Sequence, residues 1–403
     1  MNKKVLFIWN YFYFPWEKGK SRFSDLASAI VKAGHELEVV CSSFYHMGKS
    51  QRIVAKARLA ELPYKVHFIQ EPGYGKNVSI RRIRSIHVFN AGVRKYLSKH
   101  ETADLVYVPV PSCKTALIAR KWCDKVGAKL IIDIEDLWPE SFEMVIRPKW
   151  ACRLITLPLC WKANRCYRLC DGVVAVSKTF LERGLRVRKD VPPNCASPIG
   201  SDFEYVDGLK NSFVSRKPQG EFWVAYIGTL GSSYDLKMVM DGCQSAYDKG
   251  HKELCLHIFG SGPDEDTLKA YSRELQVPVA FHGLLSYEEM MTWLFDADLG
   301  VNPIVKGSVA SLINKVGDYA AAGVPVLNSQ DCKEYVDLLT KFNAGISVPP
   351  SDGSAFAKKL IEILNGAVDI RTMKDGALRL GSSALSRSAS QAKILSMIDI
   401  LLP

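Results

Sequence analysis

At 403 residues the chain exceeds what one hydrophobic core serves, and roughly 100–200 residues per domain implies two domains. A hydrophobic fraction of 47% with 24% charged residues is ordinary for a globular protein, and no apolar run reaches the roughly 18–20 residues of a membrane span, which excludes a polytopic membrane protein. Charge is unevenly spread: residues 1–200 hold 34 Lys and Arg against 17 Asp and Glu, a net of +17 that exceeds the overall +11, so an anionic partner is expected for that half.

The chain opens with a basic tip and "KVLFIW". With no small-residue cleavage site after it, this run reads as a first buried strand rather than a signal peptide, and a cytoplasmic location is expected. "SRFSDLASAIVKAG" follows as a helix stopped by glycine. "ELEVV", "KVHFI", "DLVYVPV", "KLIIDI" and "GVVAVS" then read as further buried strands, with "SCKTALIARKWCDKVG" as a second glycine-ended helix among them. Strand and helix in alternation predict a parallel sheet covered on both faces.

Two segments concentrate the positive charge. "NVSIRRIRSIHVFNAGVRKYL" has helical period, with Ile83, Ile86, Asn90, Val93 and Leu97 on one face. Arg81, Arg82 and Arg84 fall in its first turn, where the helix dipole disfavours cations, so they answer either to an anionic partner or to simple solvation. "RPKWACRLITLPLCWKANRCYRLC" interleaves Arg147, Lys149, Arg153, Lys162, Arg165 and Arg168 with Trp150, Leu154, Ile155, Leu157 and Trp161. Either it lies at an anionic membrane surface or it packs on its own domain, and Pro158 is expected to kink or interrupt it. The eleven cysteines form no C-x-x-C pair and no zinc pattern, so reduced thiols and no metal site are expected.

Between these segments "DIEDLWPESFE" places Asp133, Glu135, Asp136 and Glu140 just beyond a buried strand. They serve either as a helix start, with acids favoured by the dipole and Pro139 in the first turn, or as acid–base groups.

The alternation restarts at residue 222. "FWVAYIG", "LCLHIFG", "VAFHG", "LGVNPI" and "VPVLNS" are strands, and a capping box Ser286…Glu289 opens the helix "SYEEMMTWLFDAD". The expected layout is a first domain 1–206, a linker 207–221, a second domain 222–375 and a closing helix 376–403 packing back toward the first. Both domains are expected to be doubly wound and Rossmann-like, facing a cleft, with ligands beyond the carboxyl ends of the strands.

Glycine-rich junctions "YIGTLGSS", "IFGSGPDE" and "FHGLLS" place Gly228, Thr229, Gly231, Gly260, Gly262, Gly283 and Leu284 at one sheet edge. Glycine there admits a ligand against the backbone, although parallel sheets also need tight turns. A helix beginning near "SVASLINK" would aim free amides at phosphate, and in "INKVGDYAAAGVPVL" Lys315 offers a point charge for the same phosphate and Asp318 an acceptor for two sugar hydroxyls. The alternative is that Lys315 and Asp318 sit on a solvated face.

These stretches, above all "DLWPES" and "NK…DY.AAG.PV", resemble the large retaining group of GT-B glycosyltransferases called family 4, and are most similar to bacterial enzymes of O-antigen, capsule and other surface-polysaccharide synthesis. The resemblance spans nearly the whole chain. It implies a nucleotide-diphosphate-sugar donor in the second half, with Asp318 on the ribose, Lys315 and the amides around Ile313 and Asn314 on the diphosphate, and Gly283 and Leu284 along the base. It implies a lipid-linked saccharide acceptor in the first half, with Asp136 or Glu140 at the acceptor hydroxyl or the anomeric carbon, and no obligatory metal. Departures from the family pattern are Ala310 where many relatives carry a first glutamate, Gly19-Lys20-Ser21 in place of paired glycines, and no histidine in "VPVPSCK". A catalytically silent partner of another transferase, or a sugar-nucleotide epimerase, are the rival expectations.

Overall fold

The computed structural model describes residues 2–402 apart from 18–21, 78, 141, 143–147 and 308–311. The chain divides into two compact units, Met1–Ser197 with Gln391–Pro403, and Pro198–Ser390.

The first unit contains strands β1 (Lys4–Trp9), β2 (Glu36–Ser42), a short antiparallel pair β3 (Phe44–Tyr45) and β4 (Ser50–Gln51), and β5 (Lys65–Ile69). It continues with β6 (Leu105–Val110), β7 (Lys129–Ile134), β8 (Gly172–Ala175) and β9 (Asn194–Ala196). Its helices are α1 (Arg22–Lys32), α2 (Lys56–Ala60), α3 (Ile80–Leu97), α4 (Cys113–Val126), α5 (Lys149–Leu169) and α6 (Lys178–Leu185). Seven strands form a parallel sheet in the order β5-β2-β1-β6-β7-β8-β9. Every residue of β6 is buried, as the unbroken apolar runs require of strands covered on both faces. Chain order reverses between β1 and β6, the place where such sheets open a crevice.

In the second unit α7 (Phe203–Lys210) precedes β10 (Phe222–Ile227), α8 (Leu236–Asp248), β11 (Leu254–Phe259), α9 (Glu265–Ser272), β12 (Val279–Gly283) and α10 (Tyr287–Asp296). After these come β13 (Leu299–Asn302), α11 (Asn314–Ala322), β14 (Val326–Asn328), α12 (Lys333–Phe342), β15 (Gly345–Ser347), α13 (Gly353–Leu364) and α14 (Ile370–Ser382). The six-stranded order β12-β11-β10-β13-β14-β15 is again parallel, and its reversal lies between β10 and β13.

Some expectations change. Residues 198–221 belong to the second unit, because Val206 of α7 is buried in the core that contains Met291 and Tyr319. The closing segment is two helices: α14 buries Met373, Ala377 and Leu380, and α15 (Arg387–Leu401) carries Ile394, Met397 and Ile398 into the core with Phe7 and Val39. Helix α5 runs unbroken through Pro158. Proline there leaves the carbonyl of Leu154 without its helical donor, and Leu154 is exposed enough for water to replace it. Helix α3 buries Ser85, Phe89, Asn90, Val93 and Leu97, so its inner face is rotated and Ile83 is exposed.

Candidate functional site

In the second unit the site grows from the carboxyl end of β10. Gly228, with φ +138°, and Thr229 are exposed there, and Gly231 is half-buried. Gly260 and Gly262, in the loop after β11, have a structural duty instead: a Cβ at Gly260 would lie 1.9 Å from the Gly228 carbonyl oxygen, and one at Gly262 2.1 Å from that of Leu230. The two loops are laced by Gly228 N–H to Phe259 O (2.9 Å) and Leu230 N–H to Ser261 O (3.0 Å). Gly283 has open space at its α-carbon, and Leu284 beside it is exposed.

Helix α11 is fixed by Tyr319, whose hydroxyl donates toward Ala225 O (3.1 Å) and Val301 O (3.2 Å) and accepts from Ile227 N–H (3.0 Å). That hydroxyl bridges β10 and β13 at the reversal, so the start of α11 is held at the crevice. Ile313 is its N-cap and supplies no side-chain acceptor, Asn314 is exposed, and the first turn holds no acid. Among the described residues no side chain caps the amides of this first turn, the kind of helix start that suits an anion.

Lys315 lies in that turn and is only 7% exposed. Among the described residues its Nζ finds no hydrogen-bond partner, and it sits 4.2 Å from the Tyr226 ring centroid and 3.9 Å from that of Tyr234. Burial holds its pKa well below the ordinary lysine value. A Cβ on Gly228 would come within 3.3 Å of this nitrogen, so glycine keeps space in front of it. The solvated-face reading of Lys315 is therefore set aside. Nor is Asp318 on an open face: its Oδ1 accepts from Ser201 Oγ and from Tyr287 Oη (3.0 Å), and desolvation raises its pKa against the pull of those bonds and of Arg387. Gly317 lets the Ser201 backbone approach α11, since a Cβ there would meet Ser201 N at 3.1 Å.

In the first unit a second cluster forms at the carboxyl ends of the strands. In "YFYF" after β1, Phe12 and Phe14 are buried and leave Tyr11 and Tyr13 half-buried on the other side. Arg82 donates to Tyr11 Oη (3.1 Å) and lies 5.7–5.8 Å from the ring centroids of Tyr11, Tyr74 and Trp138. His46 meets Tyr74 Oη at 2.6 Å, and Trp138 Nε1–H donates to Asp136 Oδ2 (2.8 Å). Arg82 thus leaves the exposed patch expected of it, whereas Arg81 and Arg84 stay exposed.

The four acids separate. Asp133 is fully buried and pairs with Arg22 while accepting from Tyr107 Oη (2.5 Å). Glu135 lies 3.5 Å from Arg22 Nε, and burial, opposed by that arginine, pushes its pKa up to about 8. Glu140 ion-pairs with Arg183, which also donates to Asn164 (2.8 Å). Asp136 alone joins the aromatic and arginine cluster. Arg165 and Arg168 on α5 are exposed. Gly19, Lys20, Ser21 and Ala310 lie outside the described residues.

Among solved structures the chain is similar to sucrose-phosphate synthase from Thermosynechococcus elongatus, with TM-score 0.69 and 15% identity over 99% of both chains. Anabaena Alr3699/HepE in complex with UDP gives 0.65 and 12% over 99% of this chain and 100% of that one. The lipopolysaccharide outer core galactosyltransferase WaaB, in its apo form, gives 0.65 and 16% over the same shares. Residues 221–366 match the family described as "Glycosyl transferases group 1". The fold is GT-B. No curated protein matches the sequence at a significant level.

Within this GT-B fold, sequence reasoning missed the partners of its own candidates. Tyr226 of β10 and Tyr234 in the connection after it flank Lys315, and Ser201 reaches Asp318 from far along the chain. The first-unit cluster of Tyr11, His46, Tyr74 and Trp138 was also missed, although the alternation in "YFYF" carried a signal for Tyr11.

Proposed function

We propose that the protein is a glycosyltransferase that takes a sugar from a nucleotide-diphosphate-sugar bound in the second unit to an acceptor bound in the first. One observation carries the reading: a buried lysine amine, Lys315, without a hydrogen-bond partner among the described residues, at the start of α11 on the reversal of a parallel sheet. A diphosphate supplies the anion that Lys315 and the α11 amides lack. The same groups then stabilise the diphosphate as it leaves, so the reading assigns no metal. Asp318, already held by Ser201 and Tyr287, turns its remaining acceptor capacity to the ribose hydroxyls.

In the first unit Asp136 faces the acceptor hydroxyl as the candidate proton acceptor, with Arg82 and the rings of Tyr11, Tyr74 and Trp138 around the saccharide. Glu140 is withdrawn from that role by its pair with Arg183. Retention of anomeric configuration, a lipid-linked acceptor at the inner face of the cell membrane, and a place in surface-polysaccharide or lipopolysaccharide synthesis complete the proposal. Among the described residues no helix is long and apolar enough to cross a membrane, so the membrane association proposed is peripheral. A screen of nucleotide-sugars for enzyme-dependent release or transfer of the sugar tests it. Turnover of one donor supports the reading; binding without turnover of any donor favours the silent partner, and isomerised donor without acceptor the epimerase.

A further inference from the structure

Helix α5 turns an unusual face outward. Its inner face carries Cys152, Thr156, Ala163 and Tyr167, all buried. On the outer face Trp150, Leu154, Leu157 and Trp161 recur at helical spacing and are 66%, 65%, 62% and 61% exposed. Arg165 and Arg168 continue the same stripe, and the Arg165 guanidinium lies 5.9 Å from the Trp161 ring. Four large side chains contiguous on one helix face form the kind of exposed patch that a monomeric water-soluble protein rarely keeps.

The stripe runs into a groove of about 560 Å³ between α3, α4 and α5. Leu97, Leu117, Ile118 and Trp161 give it apolar walls. Its rim carries Arg94, Lys114, Lys121, Lys125, Lys162 and Arg165, none of which forms an ion pair among the described residues. The one acid that lines it, Asp124, is already paired with Arg120 (2.8 Å).

We infer that this face is a docking surface for a leaflet of anionic phospholipid: the α5 stripe enters the interface, and the groove takes an acidic headgroup with the start of its acyl chain. Charge complementarity selects this occupant. An acidic protein surface would meet the lysines and arginines, but would leave the two tryptophans and two leucines against polar groups. A bilayer supplies anion and hydrocarbon at adjacent depths, and tryptophan with snorkelling Lys and Arg suits the boundary between them. The inference deepens the membrane part of the proposed function and makes no use of the donor site.

The test is vesicle flotation of the full chain with phosphatidylcholine alone and with phosphatidylcholine and phosphatidylglycerol in equal parts. Binding is expected only to the second, falling as salt rises. Lys121→Gln, Lys125→Gln, Lys162→Gln and Arg165→Gln together should weaken it by roughly a hundredfold or more, since each cation near an anionic surface contributes about fivefold. Trp150→Ser with Trp161→Ser should abolish the salt-resistant part. Nucleoside diphosphate affinity, measured on the same proteins, should be unchanged in both variants and reports separately on the donor reading. No flotation of the wild type at low salt would overturn the inference. So would unchanged flotation of both variants, or a self-associated wild type that the Trp variant turns into a monomer without loss of lipid binding.

Discussion

Lys315 and Asp318 stand one turn apart on α11 and do not pair: the Lys315 amine lies between the rings of Tyr226 and Tyr234, and the Asp318 carboxyl group accepts from Ser201 and Tyr287. Paired, the two charges would satisfy each other and leave nothing for a ligand. Kept apart, the Lys315 amine keeps its donors and its capacity for charge for a ligand, while the Asp318 carboxyl group is oriented by two hydroxyls. The arrangement spends stability on readiness to bind.

Asp318→Ala removes the shared acceptor of Ser201 and Tyr287. It should lower stability by about 1–3 kcal/mol, read by urea denaturation, and weaken donor binding by a similar amount. Asp318→Asn keeps an acceptor oxygen and should recover much of the stability but less of the affinity. A stable Ala variant with wild-type affinity would leave Asp318 without either role.

Asp136 and Glu140 are distinguished by their surroundings. Asp136→Asn should slow transfer while nucleotide affinity and stability stay close to wild type. Glu140→Gln should instead cost about 1–2 kcal/mol of stability through the lost charge opposite Arg183, with the catalytic rate per folded molecule retained. The opposite pattern would exchange their roles.

Much of this architecture was legible in the sequence. "LVYVPV" within "DLVYVPV" is an unbroken apolar run and "KLIIDI" one broken by a single acid, as strands buried on both faces sustain, and the helix N-cap at Ser286 was readable from Ser286 and Glu289. Lys315 was legible as a candidate because an ammonium in the first turn of an alanine-rich helix has no local reason to be there. Arg82 was legible only as one of three, because dipole arguments treat the arginines of one turn alike; only the fold brings Tyr11, Tyr74 and Trp138 from three separate strand ends around one of them. The glycine junctions misled in part. Local sequence cannot separate a glycine that admits a ligand, as at Gly228, from one that admits a neighbouring loop, as at Gly260.

Glu135 gives the first unit a pH dependence. Its pKa rises from the ordinary 4.5 to about 8 on folding, so the folded state binds its proton more tightly than the unfolded state. Its contribution is fully present below about 4.5 and is lost as pH rises through about 8. Glu135→Gln should flatten the fall in Tm between these limits. A wild-type Tm equally flat there would contradict the assignment.

The central claim is that Lys315 awaits a diphosphate, and calorimetric titration of wild-type and Lys315→Met protein with nucleoside diphosphates and the matching nucleosides tests it most directly. Burial lowers the folded pKa of Lys315, so the methionine variant should be more stable without ligand by on the order of 1–3 kcal/mol. The wild type should bind one diphosphate well and, where Lys315 regains its charge on binding, take up a proton from buffer. The variant should lose about 1–3 kcal/mol of affinity for the diphosphate and much less for the nucleoside. Equal losses for both ligands, or no loss for either, would contradict the account.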